Sequence, residues 1–229
     1  MSTLFPLVPA HMRGTFRHFH ARRFASPYNS RMKIASPLRL AAMVSGGGTT
    51  MQNIAEVIAR GELQAQIVCC IASNSHCYGI ERAKRLGIPV HVISRKESGT
   101  LEEFSGRIAA VLRQYRTDLA LMAGFLSLWN IPADFQGRVL NIHPALLPKF
   151  GGKGMHGEHV HAAVIAAGEK ESGCTVHFAD NQYDHGPIVV QKRVPVLAGD
   201  TPDTLAKRVF DMECLAYPEA IRYYQLNHN

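Results

Sequence analysis

The chain has 229 residues, 46% of them hydrophobic and 19% charged, which is enough to bury a core without disulfide or metal staples. No apolar run approaches the roughly 18 residues that span a bilayer, so composition excludes a membrane-spanning chain, a disordered chain and a disulfide miniprotein. The net charge of +7 is local: residues 1–39 carry seven Lys and Arg and no acid, and the remainder balances 18 basic against 18 acidic residues. A neutral body gives no reason to expect a nucleic-acid partner.

The first 37 residues show no sustained period, and their Arg content without acid resembles an organellar transit peptide or a segment upstream of a start at Met32 or Met43. They are set aside as a basic extension, 1–37, leaving one domain over 38–229. The run Leu38–Val44 reads as a buried strand, broken by Ser45-Gly46-Gly47-Gly48-Thr49-Thr50. A helix follows on Met51, Ile54, Val57 and Ile58, with Thr49 and Gln52 spaced as a capping box and Gly61 as the stop.

Next come strand 66–72, helix 78–86, short strand 90–94, helix 101–115, strand 119–123 and strand 138–143. This alternation indicates βαβ units and a mainly parallel, Rossmann-like sheet. Beyond a Gly/His-rich stretch at 151–161 the order changes. Helix 162–167 precedes strands 174–179 and 188–194, close enough in sequence to pair antiparallel, and a helix from about 202 to 224 closes the domain. The fold class is therefore α/β, one domain. The five cysteines are odd in number with no Cys-x-x-Cys pair. Adjacent Cys69 and Cys70 point to opposite faces of a strand, as small buried hydrophobes in a reducing cytosol.

Four stretches carry candidate chemistry. The glycine run 45–50, between strand and helix, suits either a tight turn or backbone amides around a phosphate monoester. There Gly48 is expected to spare room for the ligand, since a Cβ blocks close approach. In Asn141-Ile142-His143-Pro144, Asn141 and His143 project to the same side at a strand's carboxyl end. An amide donor beside an imidazole suits either an acyl-transfer oxyanion or a core histidine capped by Asn. Asp180 and Asp184 lie in a turn-rich segment, and Asp184 gains meaning if it reaches His143 and favours the charged ring. His156, Glu158, His159 and His161 read as a zinc site or a mobile, substrate-covering loop, without the helical His-Glu-x-x-His register.

With these stretches in order, joined by Ala123-Gly124-Phe125, Leu146-Leu147-Pro148, Thr175-Val176-His177-Phe178 and Val194-Pro195-Val196, the chain from about 38 to 224 resembles the glycinamide ribonucleotide formyltransferase family of folate-dependent enzymes. The resemblance implies the formyltransferase fold and transfer of a formyl group from 10-formyltetrahydrofolate, a cosubstrate, to the amine of 5′-phosphoribosylglycinamide in purine synthesis. It implies small-molecule partners, no metal, no membrane, a cytoplasmic setting and a monomer or homodimer. It puts catalysis on Asn141, protonated His143 and Asp184, and the substrate phosphate and ribose on Gly48, Thr49, Thr50 and Glu213. Folate falls on Leu126, Ser127, Leu128, Trp129, Asp180 and Asn141. Family contact positions also fall on Leu101 and Phe210, with a different residue type in each. The rival readings are formyltetrahydrofolate hydrolase, methionyl-tRNA formyltransferase or another amine formyltransferase, and a non-catalytic folate or nucleotide-binding protein.

Because residues 1–37 lack a hydrophobic period, a chain beginning at Met32 is expected to melt and turn over like the full chain. A large fall in either on truncation would show that the extension packs into the body.

Overall fold

The computed structural model describes residues 37–228, so the extension assigned to 1–37 falls almost wholly outside it. Seven strands form one sheet: β1 Leu38–Val44, β2 Ala65–Ala72, β3 Val90–Val92, β4 Leu119–Met122, β5 Val139–His143, β6 Glu171–Phe178 and β7 Ile188–Pro195. Their spatial order is β3-β2-β1-β4-β5-β6-β7. The first five pair in parallel, and β6 and β7 add antiparallel to that block. The helices are α1 Thr49–Ala59, α2 Gly79–Arg85, α3 Leu101–Gln114, α4 Glu158–Ala166 and α5 Pro202–His228.

The central strands are largely buried on both faces, and this explains why β1 and β4 are apolar apart from Arg39. In β1, Leu38, Leu40, Ala42 and Val44 join one core with α1, α2, α4 and α5. Ala41 and Met43 join a second with α3, Trp129 and Phe135. Cys70 and Cys69 likewise divide between the two cores. The sheet is thus the middle of three layers, and its edges are the three-residue β3 and the half-exposed β7, whose Lys192 and Arg193 blunt it. Tyr217 of α5, fully buried, ties the helix to the sheet by donating to the Leu140 carbonyl at 2.9 Å.

Several boundaries differ from expectation. Helix α4 starts at Glu158, so the second half of the supposed loop 151–161 is helical, and β6 starts at Glu171 because it pairs with β7 from its first residue. Thr49 does not cap α1. Gly48 does, at φ 73°, with no side-chain cap; Thr49 is the first helical residue, and the Gln52 side chain donates to Glu56 instead. At Gly48 the packing of α2 by itself calls for glycine: a Cβ there would lie 2.7 Å from the Gly79 Cα.

Gly48 and Gly61 share a left-handed backbone, at φ 73° and 74°, but only Gly48 is crowded. Gly61→Ala should cost about 1 kcal/mol, the conformational penalty alone. Gly48→Ala should cost at least about 2 kcal/mol, because α1 and α2 must part. Urea midpoints of the two variants check this; equal losses would mean that the contact between α1 and α2 yields freely.

Candidate active site

Strands β1, β2 and β3 run to one side of the sheet and β4 to the other, so the chain reverses direction between β1 and β4. Open α/β sheets bind ligands at the strand carboxyl ends beside such a point. Here Ser45, just after β1, donates its backbone N–H to the Gly124 carbonyl at 2.9 Å and accepts the Leu126 N–H on its hydroxyl at 2.9 Å. A cleft of about 390 Å³ opens there, lined by Thr50, residues 124–129, Asn141, His143, His177, Asp180, Asp184, Phe210 and Glu213 among others.

Asp184 is the node of its polar wall. Its Oδ1 accepts from Asn141 Nδ2 at 3.1 Å, and its Oδ2 accepts the Gly152 N–H at 3.0 Å. Oδ2 also lies 3.4 Å from His143 Nδ1, and Oδ1 lies 3.7 Å from His177 Nε2. Burial pushes its carboxyl up, but the His177 and His143 rings, when they present a proton or a charge, and the Gly152 N–H together outweigh it and hold the carboxyl below the ordinary range. The residue is held at φ 52°, a backbone region that non-glycine residues seldom visit.

His177 was not singled out in the sequence. It stands opposite Asn141 in the pairing of β5 with β6. Its Nδ1–H donates to the Phe178 carbonyl at 2.9 Å, which leaves Nε2 to accept from Asn141 Nδ2 at 3.0 Å. The available signals were its place in the Thr175-Val176-His177-Phe178 stretch and in a strand expected to pair antiparallel, since register between distant strands is not written in either strand. Two backbone groups were also missed, the Gly152 N–H and the Phe150 carbonyl.

The geometry corrects two expectations. Asn141 was to offer a free amide donor, but both of its N–H groups are taken by Asp184 and His177, so a ligand oxygen must displace one of them. His143 was to be charged, favoured by Asp184. Its Nε2–H donates to the Phe150 carbonyl at 2.8 Å, and it is only 3% exposed. Burial outweighs the carboxylate and moves its pKa below 6.5. The ring is therefore neutral near pH 7.

Of the phosphate-loop residues, buried Thr50 reaches the cleft; Thr49 is exposed and Gly48 lies under α2. Half-buried Glu213 lines the opposite wall without a hydrogen-bond partner among the described residues, and burial pushes its carboxyl up to about 7. Leu126, Ser127 and Leu128 form an accessible rim, whereas Trp129 is a core residue at 1% exposure whose edge reaches the cleft. Asp180 lies on the rim, paired with His185 at 2.8 Å. Leu101 opens α3 away from the cleft wall, and Phe210 lines it. His156 and His159 stack edge to face at 5.7 Å, while His161 is buried within α4. Among the described residues no three His, Cys, Asp or Glu side chains converge as a metal site.

An Asn, His and Asp cluster thus stands at the switch point of an open α/β sheet, in a cleft that Thr50 of the glycine loop also lines, where such folds bind small molecules. The Formyl transferase family profile matches residues 38–221, and the chain belongs to that family. It is 42% identical over 188 residues to the chloroplastic phosphoribosylglycinamide formyltransferase of Arabidopsis thaliana, covering 80% of this chain and 64% of that one. The Haemophilus influenzae phosphoribosylglycinamide formyltransferase is 34% identical, covering 81% of this chain and 86% of that one. The crystal structure of glycinamide ribonucleotide transformylase 1 from Symbiobacterium toebii superposes with a TM-score of 0.78 at 35% identity, covering 83% of this chain and 88% of that one. The chain spans 64% and 59% of the Arabidopsis thaliana and Vigna unguiculata relatives.

The titrations of this cleft oppose one another. His143, depressed below 6.5, binds fewer protons folded than unfolded, so its stabilisation is complete above that value and is lost as pH falls through and below it. Glu213, raised from 4.5 to about 7, binds more protons folded, so its stabilisation is fully present below 4.5 and is lost progressively as pH rises from there to about 7. The two windows overlap, so Glu213→Gln should remove the Glu213 loss and make stability rise more steeply with pH between about 4.5 and 7 than in the wild type. Urea unfolding at a series of pH values reads this slope; an unchanged slope would place the titration elsewhere.

Proposed function

We propose that the protein transfers the formyl group of 10-formyltetrahydrofolate to the primary amine of 5′-phosphoribosylglycinamide, in de novo purine synthesis. The observation that carries the reading is the Asp184 node, which sets Asn141, His143 and His177 at one end of a cleft with Thr50 and Glu213 elsewhere on its wall. The backbone amides of Gly48, Thr49 and Thr50 at the start of α1 and the Thr50 hydroxyl receive the phosphate, and Glu213 receives ribose hydroxyls. Leu126, Ser127, Leu128, the edge of Trp129, and Asp180 receive the folate.

In the reaction the amine nitrogen attacks the formyl carbon, and the formyl oxygen takes up negative charge. Asn141 turns one N–H from its internal acceptors to that oxygen, and His143 supports it as an imidazolium formed during the step, its charge matched by Asp184. The nitrogen–carbon bond to folate then breaks, and the folate nitrogen leaves with the proton that the amine gave up. A neutral His143 can take up that proton, whereas an already charged ring could not.

Small-molecule partners suffice for this chemistry. A cytoplasmic site of action and a monomeric or homodimeric state are part of the proposal. The five cysteines are free, and no helix among the described residues is long and apolar enough to cross a membrane. Two plant relatives are named chloroplastic, so residues 1–37 are where a plastid address would reside.

The deciding assay offers 10-formyltetrahydrofolate with glycinamide ribonucleotide, charged tRNA or water as acceptor; product from the first alone is expected. Asn141→Ala and His143→Ala should each lower turnover by about 10²–10³, with far smaller changes in substrate binding. His143→Ala combined with Asp184→Asn should cost much less than the product of the single losses, because the two act as a unit. Near-normal turnover in His143→Ala would end this mechanism.

A further inference from the structure

Among the groups lining the cleft, His161 is a buried histidine with no assigned task. It lies in the first turns of α4 and is 4% exposed. Its Nδ1 is enclosed with no hydrogen-bond partner, and neither ring nitrogen is bonded among the described residues. Buried polar atoms left unpaired are rare and call for a reason. A structural histidine would have found a carbonyl, as His143 and His177 both do. His161 instead forms part of the cleft wall, on a helix packed against α5, which carries Phe210 and Glu213.

We propose that His161 binds the acceptor substrate, donating a neutral Nε2–H to the carbonyl oxygen of its glycinamide arm. The inference rests on the reading of the acceptor as 5′-phosphoribosylglycinamide. Burial disfavours the charged ring, and with Nδ1 enclosed and unpaired we place the lone pair on Nδ1 and the proton on Nε2. Between a ribose at Glu213 and an amine at Asn141 and His143, the arm has one strong acceptor, its carbonyl oxygen. The amine itself must stay unencumbered to attack. A neutral donor meets both needs, whereas a cation there would oppose formation of the imidazolium on His143.

The test compares His161→Phe, which keeps the ring volume without a donor, with His161→Gln, which restores one. His161→Phe should raise KM for glycinamide ribonucleotide about 10-fold, the size of one lost hydrogen bond. KM for 10-formyltetrahydrofolate and kcat should stay nearly unchanged, and His161→Gln should recover most of the loss. In the wild-type protein, the ¹⁵N resonances of the His161 ring, assigned by their absence in His161→Gln, should move on addition of glycinamide ribonucleotide and not of folate. This second readout holds even if His161→Phe fails to fold. Unchanged KM in both variants, or a ring that ignores glycinamide ribonucleotide, overturns the role of His161 alone. Absence of formyl transfer by the wild type overturns the proposed reaction instead.

Discussion

The site depends on one buried carboxylate. Taking Asp184 out of water is costly unless each of its oxygens finds a partner, and here the Asn141 amide and the Gly152 N–H supply them, with two imidazoles close by. That arrangement requires unusual backbone on all sides. Asp184 itself sits at positive φ. At Gly151 a Cβ would lie 3.2 Å from the Asp184 Cβ and 2.6 Å from Leu147 Cδ2, and at Gly186 it would collide with the Phe178 carbonyl. Three segments distant in sequence, β5, the 150–152 turn and the 180–187 loop, therefore close on one another only because two glycines leave room.

The same carboxylate organises the polar wall electrostatically. His143 is too buried to stay charged in the absence of a new negative charge, yet its Nδ1 already faces Asp184 at 3.4 Å. The ring is thus arranged to become an imidazolium when charge develops beside it, and that charge has its counterion waiting. Glu213, across the cleft, is likewise biased toward its neutral form. Preorganised groups of this kind favour a charge that appears during reaction, because they need not reorganise around it.

Sheet topology supplies the position of that wall. The direction change between β1 and β4 brings the glycine loop and residues 124–129 together through Ser45. The antiparallel addition of β6 to β5 then brings His177 against Asn141.

Much of this was legible in the chain. The apolar run of β4, that of β1 broken only by Arg39, the helical spacing of Met51, Ile54 and Val57, and the alternation of elements specify the α/β sheet, because burial on both faces or one stripe leaves a period in the residues themselves. Asn141 and His143 were recognisable as a same-side pair for the same reason. Element ends were less legible: α4 begins at Glu158 within the stretch read as a loop, and β6 begins at Glu171 because it pairs with β7 from its first residue, a tertiary fact. The role of Gly48 under α2, the engagement of the Asn141 donors, the pairing of His177 and the neutrality of His143 could not be read from sequence. Each depends on distance and burial created by residues tens of positions away, and no local period records a contact between segments that meet only after the sheet has formed.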